Sequence, residues 1–237
     1  MRRIACAPRA DWPARLAALG ADLSANPASP YWREDAAYVL SERQVEQLHA
    51  ATAEIERLVH AAVDHVIRHD LFADLGIAMG LARLATRSWQ AREPSLYGRY
   101  DLSYDGSRPP KLLEYNADTP TALFEASVVQ WHWLSELHPG ADQFNSIHEA
   151  LIAAWQDWRQ AGHLGRVHFA CMDDDDDVLT TAYLQDTAHQ AGLDTQFLGM
   201  PDIGWNGRDF LDLEERRIEA LFKLYPWDWL ARDTFFP

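Results

Sequence analysis

The chain has 237 residues, of which 48% are hydrophobic and 24% are charged, and its formal net charge at neutral pH is −15. This length and apolar content exclude a disordered chain and allow one large domain or two small ones, each able to bury a core. The excess of acidic groups argues against a nucleic-acid partner, whose phosphates would be repelled, and is compatible with a cationic substrate.

Cysteine usage and hydropathy bear on the compartment. Cys6 and Cys171 are too few for a disulfide framework and lack the spacing of a zinc site. The first twenty residues contain no apolar core of signal length, and no run approaches the roughly 18 apolar residues of a membrane span. We therefore expect a cytoplasmic protein with no membrane contact.

Two helices are predicted in the first 92 residues. Ser41 and Gln44 form a capping-box pattern at the start of an amphipathic run that ends near His69. A second helix is predicted over Phe72–Trp89, with Gly76 inside it at some cost in helix propensity. This part of the chain is expected to be mainly helical, and no chemistry is identified in it.

A β-hairpin follows. Its strands are predicted over Tyr97–Tyr104 and Lys111–Asn116, and residues 105–110, DGSRPP, have the composition of a tight turn. Side chains alternate between the two faces of a strand, so polar groups gather on one face and tyrosines and leucines on the other.

The polar face of the hairpin predicts a cation site. If the register places Asp101 across from Glu114, it also places Arg99 across from Asn116, with Ser103 on the same face as Asp101. Two directly opposed carboxylates repel each other unless a positive charge lies between them, and Mg²⁺ is the natural candidate because it takes oxygen ligands and completes its shell with phosphates. Arg99 would grip an anionic oxygen beside it. The alternative is an ordinary solvated face of an amphipathic sheet.

After the hairpin, Thr119 and Pro120 are predicted to cap a helix that runs through Leu137. The start of this helix would lie at the edge of the proposed metal site, where exposed backbone N–H groups bind a carboxylate or phosphate. Simple capping by Thr119 is the alternative.

The last third of the chain has the pattern of a βαβ unit. A strand, an acidic loop, a helix and a second strand follow one another, so the two strands should be parallel neighbours. The predicted elements are a helix over 146–161, a strand over 166–172, a helix over 178–191, and strands over 195–199 and 218–224.

Two other groups of residues, an aspartate run and a histidine pair, could suggest metal sites, but we expect neither to bind a metal. The five aspartates Asp173–Asp177 lack the alternating ligands of a calcium loop, so we expect a solvated loop whose last members favour the helix start. His65 and His69 are four residues apart but lack the acid of an HExxH motif. The tryptophans expected in the core or at domain contacts are Trp131, Trp133, Trp155, Trp158, Trp227 and Trp229.

Three stretches of the chain resemble the synthetase domain of the glutathionylspermidine synthase family, which has an ATP-grasp fold. They are GRYDLSYDGSRPPKLLEYNADTPTALFEASVVQWHWL, YLQDTAHQAGLDTQFLGMPDIGW and EALFKLYPWDWL. The resemblance implies an α/β (α+β) fold, the N-terminal part of an ATP-grasp-like fold, with a helical lead over residues 1–92 and an α/β region over residues 93–237. It matches the βαβ unit to the Rossmann-like portion that precedes the grasp domains.

The resemblance also implies a chemistry that uses ATP and Mg²⁺. Members of the family phosphorylate the glycyl carboxylate of glutathione, and a spermidine amine then attacks the acyl phosphate. At matching positions, Asp101, Glu114 and Asn116 correspond to the magnesium ligands. Arg99 corresponds to the catalytic arginine that contacts the transferring phosphoryl group of the nucleotide.

The substrates implied are a glutathione-like peptide and a polyamine or other amine. Thr119 lies where the family has a small hydroxyl residue near the glutathione site, and Asp118 and Ser103 complete the predicted substrate-binding set.

One departure from the family opens a second hypothesis. The nucleotide-binding lysines and glycine-rich loop of the family lie further along than this chain extends. Lys111 and Lys223 are its only lysines, and neither is in a phosphate-cradling context. The chain would then be a catalytically silent portion that binds a ligand or partner without turnover, and exposed aromatic surface would favour self-association.

Overall fold

The computed structural model describes residues 1–20, 31–162 and 165–234, and it has the mixed α/β fold that the sequence predicts. In the described residues the helices are α1 (Trp12–Ala18), α2 (Glu42–Arg68), α3 (Met79–Ala91), α4 (Gln130–Leu137), α5 (Ile147–Gln160), α6 (Asp175–Gln190) and α7 (Trp227–Leu230). The strands are β1 (Arg2–Ala5), β2 (Ala36–Val39), β3 (Arg99–Ser103), β4 (Lys111–Asn116), β5 (Arg166–Cys171), β6 (Asp194–Gly199), β7 (Gly204–Trp205), β8 (Phe210–Leu211) and β9 (Ala220–Leu224).

The chain forms two compact units. Unit 1 consists of residues 1–2, 39–117 and 226–237, and unit 2 consists of residues 3–38 and 118–225. The predicted division between residues 92 and 93 stays a sequence-based prediction. Over the described ranges, no helix combines the length and the apolar character that crossing a bilayer requires.

Unit 1 is built on the long helix α2. The predicted capping box is confirmed, because the Ser41 N–H donates to Gln44 Oε1 at 3.0 Å, and the helix ends at His69 as predicted. The tyrosine face of the β3–β4 hairpin contacts this helix, where the Tyr104 hydroxyl donates to Gln47 Oε1 at 2.8 Å. The polar face of the hairpin is therefore the face directed away from α2.

Helix α3 begins later than predicted. Instead of one helix over Phe72–Trp89, a short 3₁₀ turn over Ala73–Leu75 is followed by a break, and the α-helix starts at Met79. Gly76 adopts a left-handed backbone conformation, with φ of +70°, which ends the helical turn. The prediction that Gly76 lies inside a helix is wrong for this reason.

The core of unit 2 is a three-stranded parallel sheet with β5 between β6 and β9. The predicted βαβ unit is confirmed, and α6 covers the sheet with Leu184 and Ala188, which are fully buried like Phe169 of β5. Helix α5 packs on α6, where Trp155 Nε1 donates to Thr187 Oγ1 at 3.1 Å.

A buried polar cluster lies beside this sheet. His168 of β5 has Nε2 at 3.2 Å from Asp212 Oδ2, and Arg216 Nε donates to the same oxygen at 2.8 Å. Burial raises the pKa of Asp212, but the Arg216 N–H, its guanidinium and His168 outweigh burial and lower that pKa to about 2. Asp212 therefore stays charged in the folded protein at neutral pH.

The acidic run lies at a helix start. Helix α6 begins at Asp175, three residues before the predicted start, so most of the run is its first turn rather than a loop. Asp174 is the N-cap, and its Oδ1 accepts from the Asp176 N–H at 3.2 Å. Burial and neighbouring carboxylates raise the pKa of Asp176 and of Asp177.

The segment after the hairpin departs most from prediction. The helix that Thr119 and Pro120 were expected to cap begins at Leu123, passes through a π-helical turn over Glu125–Val129 and continues as α4. Ala122 has a φ of +64°, so the residues before it cannot form the first turn of this helix. The helix start at Thr119, with its free N–H groups, is therefore wrong.

The tryptophans divide into two groups. Trp155 is buried in unit 2, as predicted for a core residue. Trp131, Trp227 and Trp229 are about half exposed, so the prediction that they fill core surface is not met within either unit. Residues 1–20 and 31–39 also contain the paired strands β1 and β2, which the sequence did not predict.

Candidate functional site

The hairpin has the register that the sequence predicts for the cation site. Asp101 is paired with Glu114, and Arg99 is paired with Asn116. Directly opposite residues in an antiparallel pair project their side chains to the same face, so the four polar groups share one face of unit 1.

A β-bulge lies directly beside the acidic pair. After the Asp101–Glu114 pair, the next partners are Leu102 and Leu112, so Leu113 has no partner and its side chain is 70% exposed. A bulge bends the strand and increases its local twist, and such features are common next to functional sites. This bulge was not predicted, because the residues of both strands follow a regular alternation.

Arg99 supplies a positive charge within the hairpin itself. Its Nε donates to Asp101 Oδ1 at 2.8 Å, and its Nη2 donates to Asp101 Oδ2 at 3.3 Å. A guanidinium therefore already offsets the charge of Asp101, and the opposed carboxylates do not by themselves require a metal ion between them. The two side chains are 36% and 37% exposed, and an ion pair this exposed contributes about 0–1 kcal/mol.

The remaining groups fit a magnesium ion. Glu114 is exposed and makes no ion pair with any described residue. Asn116 is partly buried, and its Nδ2 is fully buried without a hydrogen bond to the described part of the chain. Two carboxylates and one amide oxygen are hard ligands of the kind that Mg²⁺ takes when waters and phosphates complete its shell.

Other metal hypotheses gain nothing from the structure. Over residues 1–20, 31–162 and 165–234, no three or more His, Cys, Asp and Glu side chains gather as a metal-binding group. The rings of His65 and His69 lie 4.4 Å apart on α2 without an acidic third member. The hairpin falls outside such groups because the third residue of its predicted ligand set, Asn116, is an amide.

Ser103 and Thr119, two of the predicted substrate-binding residues, lie outside the Asp101–Glu114 pair. Ser103 is exposed at the end of β3, across from Lys111. Thr119 lies in the irregular segment before Leu123 and belongs to unit 2. Their roles in substrate binding stay predictions.

Asp118, the third of these residues, is engaged by a lysine that the sequence analysis did not assign to the site. Lys223 Nζ lies 2.9 Å from Asp118 Oδ1 and donates to the Tyr225 carbonyl at 2.7 Å. Burial lowers the pKa of Lys223, and the hydrogen bond to Asp118 opposes that effect. The two partners are 105 residues apart, so no local pattern could have joined them.

Fold and hairpin together define an α/β protein with a parallel βαβ sheet and an acidic hairpin suited to a hard cation. A model of the glutathionylspermidine synthase preATP-grasp family matches residues 3–237. The chain therefore belongs to this family, as its signature stretches predicted.

Several curated proteins are similar to the chain. A putative acid–amine ligase of Haemophilus influenzae is 37% identical over 246 residues, which cover 99% of this chain and 62% of the relative. A bifunctional glutathionylspermidine synthetase/amidase of Escherichia coli is 27% identical over 81% of this chain and 31% of its own length. A trypanothione synthetase of Crithidia fasciculata is 27% identical over 62% of this chain and 23% of its own length. The chain thus spans less than two thirds of each of these relatives.

Proposed function

We propose that this chain carries the metal and acceptor part of an ATP-dependent carboxylate–amine ligase. The observation that carries the proposal is the hairpin register, which brings Arg99, Asp101, Glu114 and Asn116 to one face in a chain of this family. The relatives are described as a ligase and synthetases, and the arrangement suits phosphoryl transfer, where charge on oxygen must be offset.

The proposed roles follow from the donor set. Asp101, Glu114 and Asn116 would hold Mg²⁺, which when bound neutralises phosphate charge. Arg99 would turn from Asp101 toward the transferring phosphoryl group and grip its oxygens with its planar fork. Since the side chains of the Arg99–Asp101 pair are each more than one third exposed, separating its partners costs only about 0–1 kcal/mol.

The reaction has two steps. A carboxylate oxygen of a glutathione-like peptide attacks the γ-phosphorus of ATP and releases ADP, which leaves an acyl phosphate. The nitrogen of a polyamine or other amine then attacks the carbonyl carbon, phosphate leaves, and the amine loses a proton as the amide forms. The activated carboxylate needs no covalent help, so the protein contributes mainly by positioning the two reactants.

Substrate contacts are assigned to Thr119, Ser103 and Asp118, of which Asp118 also accepts a hydrogen bond from Lys223 through Oδ1. The net charge of −15 favours a cationic amine as the second substrate. We place the reaction in the cytoplasm, where ATP is available and both cysteines, which are free thiols, stay reduced.

A second candidate function is a portion that binds without turnover. Of the two lysines, Lys223 is committed to Asp118 and Tyr225, and Lys111 is exposed at the start of β4. Neither suits the nucleotide phosphates. In this case the exposed Trp227 and Trp229 would favour self-association or a partner chain.

An ADP-release assay with glutathione and a panel of amines separates the two candidates. Release that requires both substrates and falls at least about tenfold in Asp101→Ala, a loss of 1.4 kcal/mol or more, supports the ligase. Glu46→Gln is the control, because Glu46 is exposed on α2 and makes no ion pair with any described residue. Release that ignores both substrates contradicts the ligase. Calorimetry with Mg-ATP completes the test. Micromolar binding removes the premise of the silent portion, which is that the chain lacks groups for the nucleotide phosphates, and the absence of binding contradicts the ligase.

A further inference from the structure

The ammonium group of Lys223 forms hydrogen bonds to two residues of unit 2, each of which directly adjoins a boundary with unit 1 along the chain. The chain enters unit 2 from unit 1 between Ala117 and Asp118, and it returns to unit 1 between Tyr225 and Pro226. Lys223 bonds to the unit 2 residue at both points, with 2.9 Å to Asp118 Oδ1 and 2.7 Å to the Tyr225 carbonyl oxygen.

Lys223 is itself held firmly. It lies in β9 opposite Ala170 of the central strand β5, and Ala170 is fully buried. The Lys223 side chain is 12% exposed, whereas that of Asp118 is 39% exposed. The bond to Asp118 is therefore partly open to water and screening ions, and the bond to the Tyr225 carbonyl is the more sheltered of the two. An ammonium group offers three donors, and two of them are used on the two connections.

We propose that Lys223 is a positioning residue that fixes both connections, and through Asp118 holds the adjoining Thr119 in place for the peptide substrate. The part of this inference that concerns Thr119 rests on the proposed function, whereas the fixing of the connections does not. In this arrangement Asp118 acts on Thr119, its neighbour in the chain. Asp118, which follows the hairpin in the chain, is thus bonded to a residue of the parallel sheet of unit 2.

Hydrogen–deuterium exchange tests the fixing of the connections without any need for activity. In Lys223→Met, peptides that cover residues 117–122 and 225–227 should exchange about tenfold faster, because a charge-assisted hydrogen bond is lost at each point. Lys223→Arg should bring the exchange back to within about twofold of the wild-type rate, since a cation is restored. The matched control is Lys111→Met, which removes the other lysine of the chain from an exposed position and should leave both peptides unchanged.

Asp118→Asn is the second variant and decides the matter if Lys223→Met does not fold. It should speed exchange over residues 117–122, and combining it with Lys223→Met should add little there, because the two changes remove the same bond. Unchanged exchange at both connections overturns the proposal. Faster exchange spread evenly over β5 and α6 also overturns it, because that result reports a loss of stability throughout unit 2.

Calorimetric titration with glutathione tests the part that concerns Thr119. Lys223→Met should weaken glutathione binding by about tenfold while leaving Mg²⁺ binding within about twofold, since the proposed metal ligands lie in unit 1. Loss of both affinities together, or of neither, contradicts a positioning role. If the wild-type chain binds no glutathione, the proposed function fails, and the exchange experiment still decides whether Lys223 fixes the connections.

Discussion

Replacing Glu114 with glutamine should change stability in opposite directions with and without magnesium. The side chain is exposed and lies directly across from Asp101, so the substitution removes a like-charge contact and keeps the size and hydrogen-bonding capacity of the side chain. The same substitution removes one of the three proposed metal ligands. We therefore expect Glu114→Gln to be more stable than wild type without Mg²⁺ and less stable with it.

The magnitude follows from the position of the two charges. Unit charges about 5 Å apart in water repel each other by about 0.8 kcal/mol. Because Arg99 already offsets part of the charge of Asp101, the gain in unfolding free energy should be about 0.2–0.8 kcal/mol, or a rise of about 0.4–3 °C in Tm. A ligand at 100 times its Kd stabilises the folded chain by about 2.7 kcal/mol, and the variant should lose most of that increment.

Urea unfolding followed by circular dichroism, in chelator and in excess MgCl₂, measures both effects. Glu46→Gln is the matched control, since it makes the same chemical change at an exposed position on α2 and should stay within about 0.5 kcal/mol of wild type in both buffers.

Either of two results would refute the reasoning. If Glu114→Gln is less stable than wild type in chelator, the opposed carboxylates do not repel, and the electrostatic argument for a cation fails. If wild type and variant gain equally from MgCl₂, the ion binds elsewhere. A general loss of folding cannot imitate the expected pattern, because it would lower stability in both buffers.

Three other outcomes follow from burial and backbone geometry. Leu184→Ala should lower the unfolding free energy by about 2–5 kcal/mol in urea unfolding, because Leu184 is 0% exposed, whereas Leu213→Ala at a 71% exposed position should change it by less than about 0.5 kcal/mol. Gly76→Ala should cost about 1–2 kcal/mol in the same assay because its φ is +70°, whereas Gly140→Ala, which meets no atom within 4 Å and lacks a positive φ, should be neutral or slightly stabilising. The pKa of Asp212 is lowered to about 2, so its contribution to stability is present above the unfolded pKa of about 3.9 and is lost as the pH falls toward 2; Asp212→Asn should flatten that part of the stability–pH curve.

Local patterns predicted the elements whose signals lie within a few residues. The capping box at Ser41 and Gln44 set the start of α2, and Gly192, with its left-handed backbone, ends the turn after α6. Alternation along the hairpin predicted the register of Asp101 against Glu114, because a two-residue period leaves few alignments that keep tyrosines on one face.

Predictions failed where the backbone took a conformation that residue type did not indicate. Ala122 has a positive φ although nothing in alanine favours it, and the helix after Thr119 therefore starts at Leu123. Leu113 lies in a β-bulge, and the sequence has no glycine there that would have indicated one. In both cases contacts made elsewhere in the fold outweighed local preference, which amounts to only about 1 kcal/mol per residue.

By itself the sequence determined the family, the parallel βαβ unit and the polar face of the hairpin, because each depends on residues close together in the chain or on a signature read letter by letter. Only the tertiary structure decided what lies beside those residues. It paired Arg99 with Asp101, and it brought Lys223 to Asp118 across 105 residues. Such contacts depend on how strands and helices pack, and packing joins groups whose separation along the chain carries no local signal.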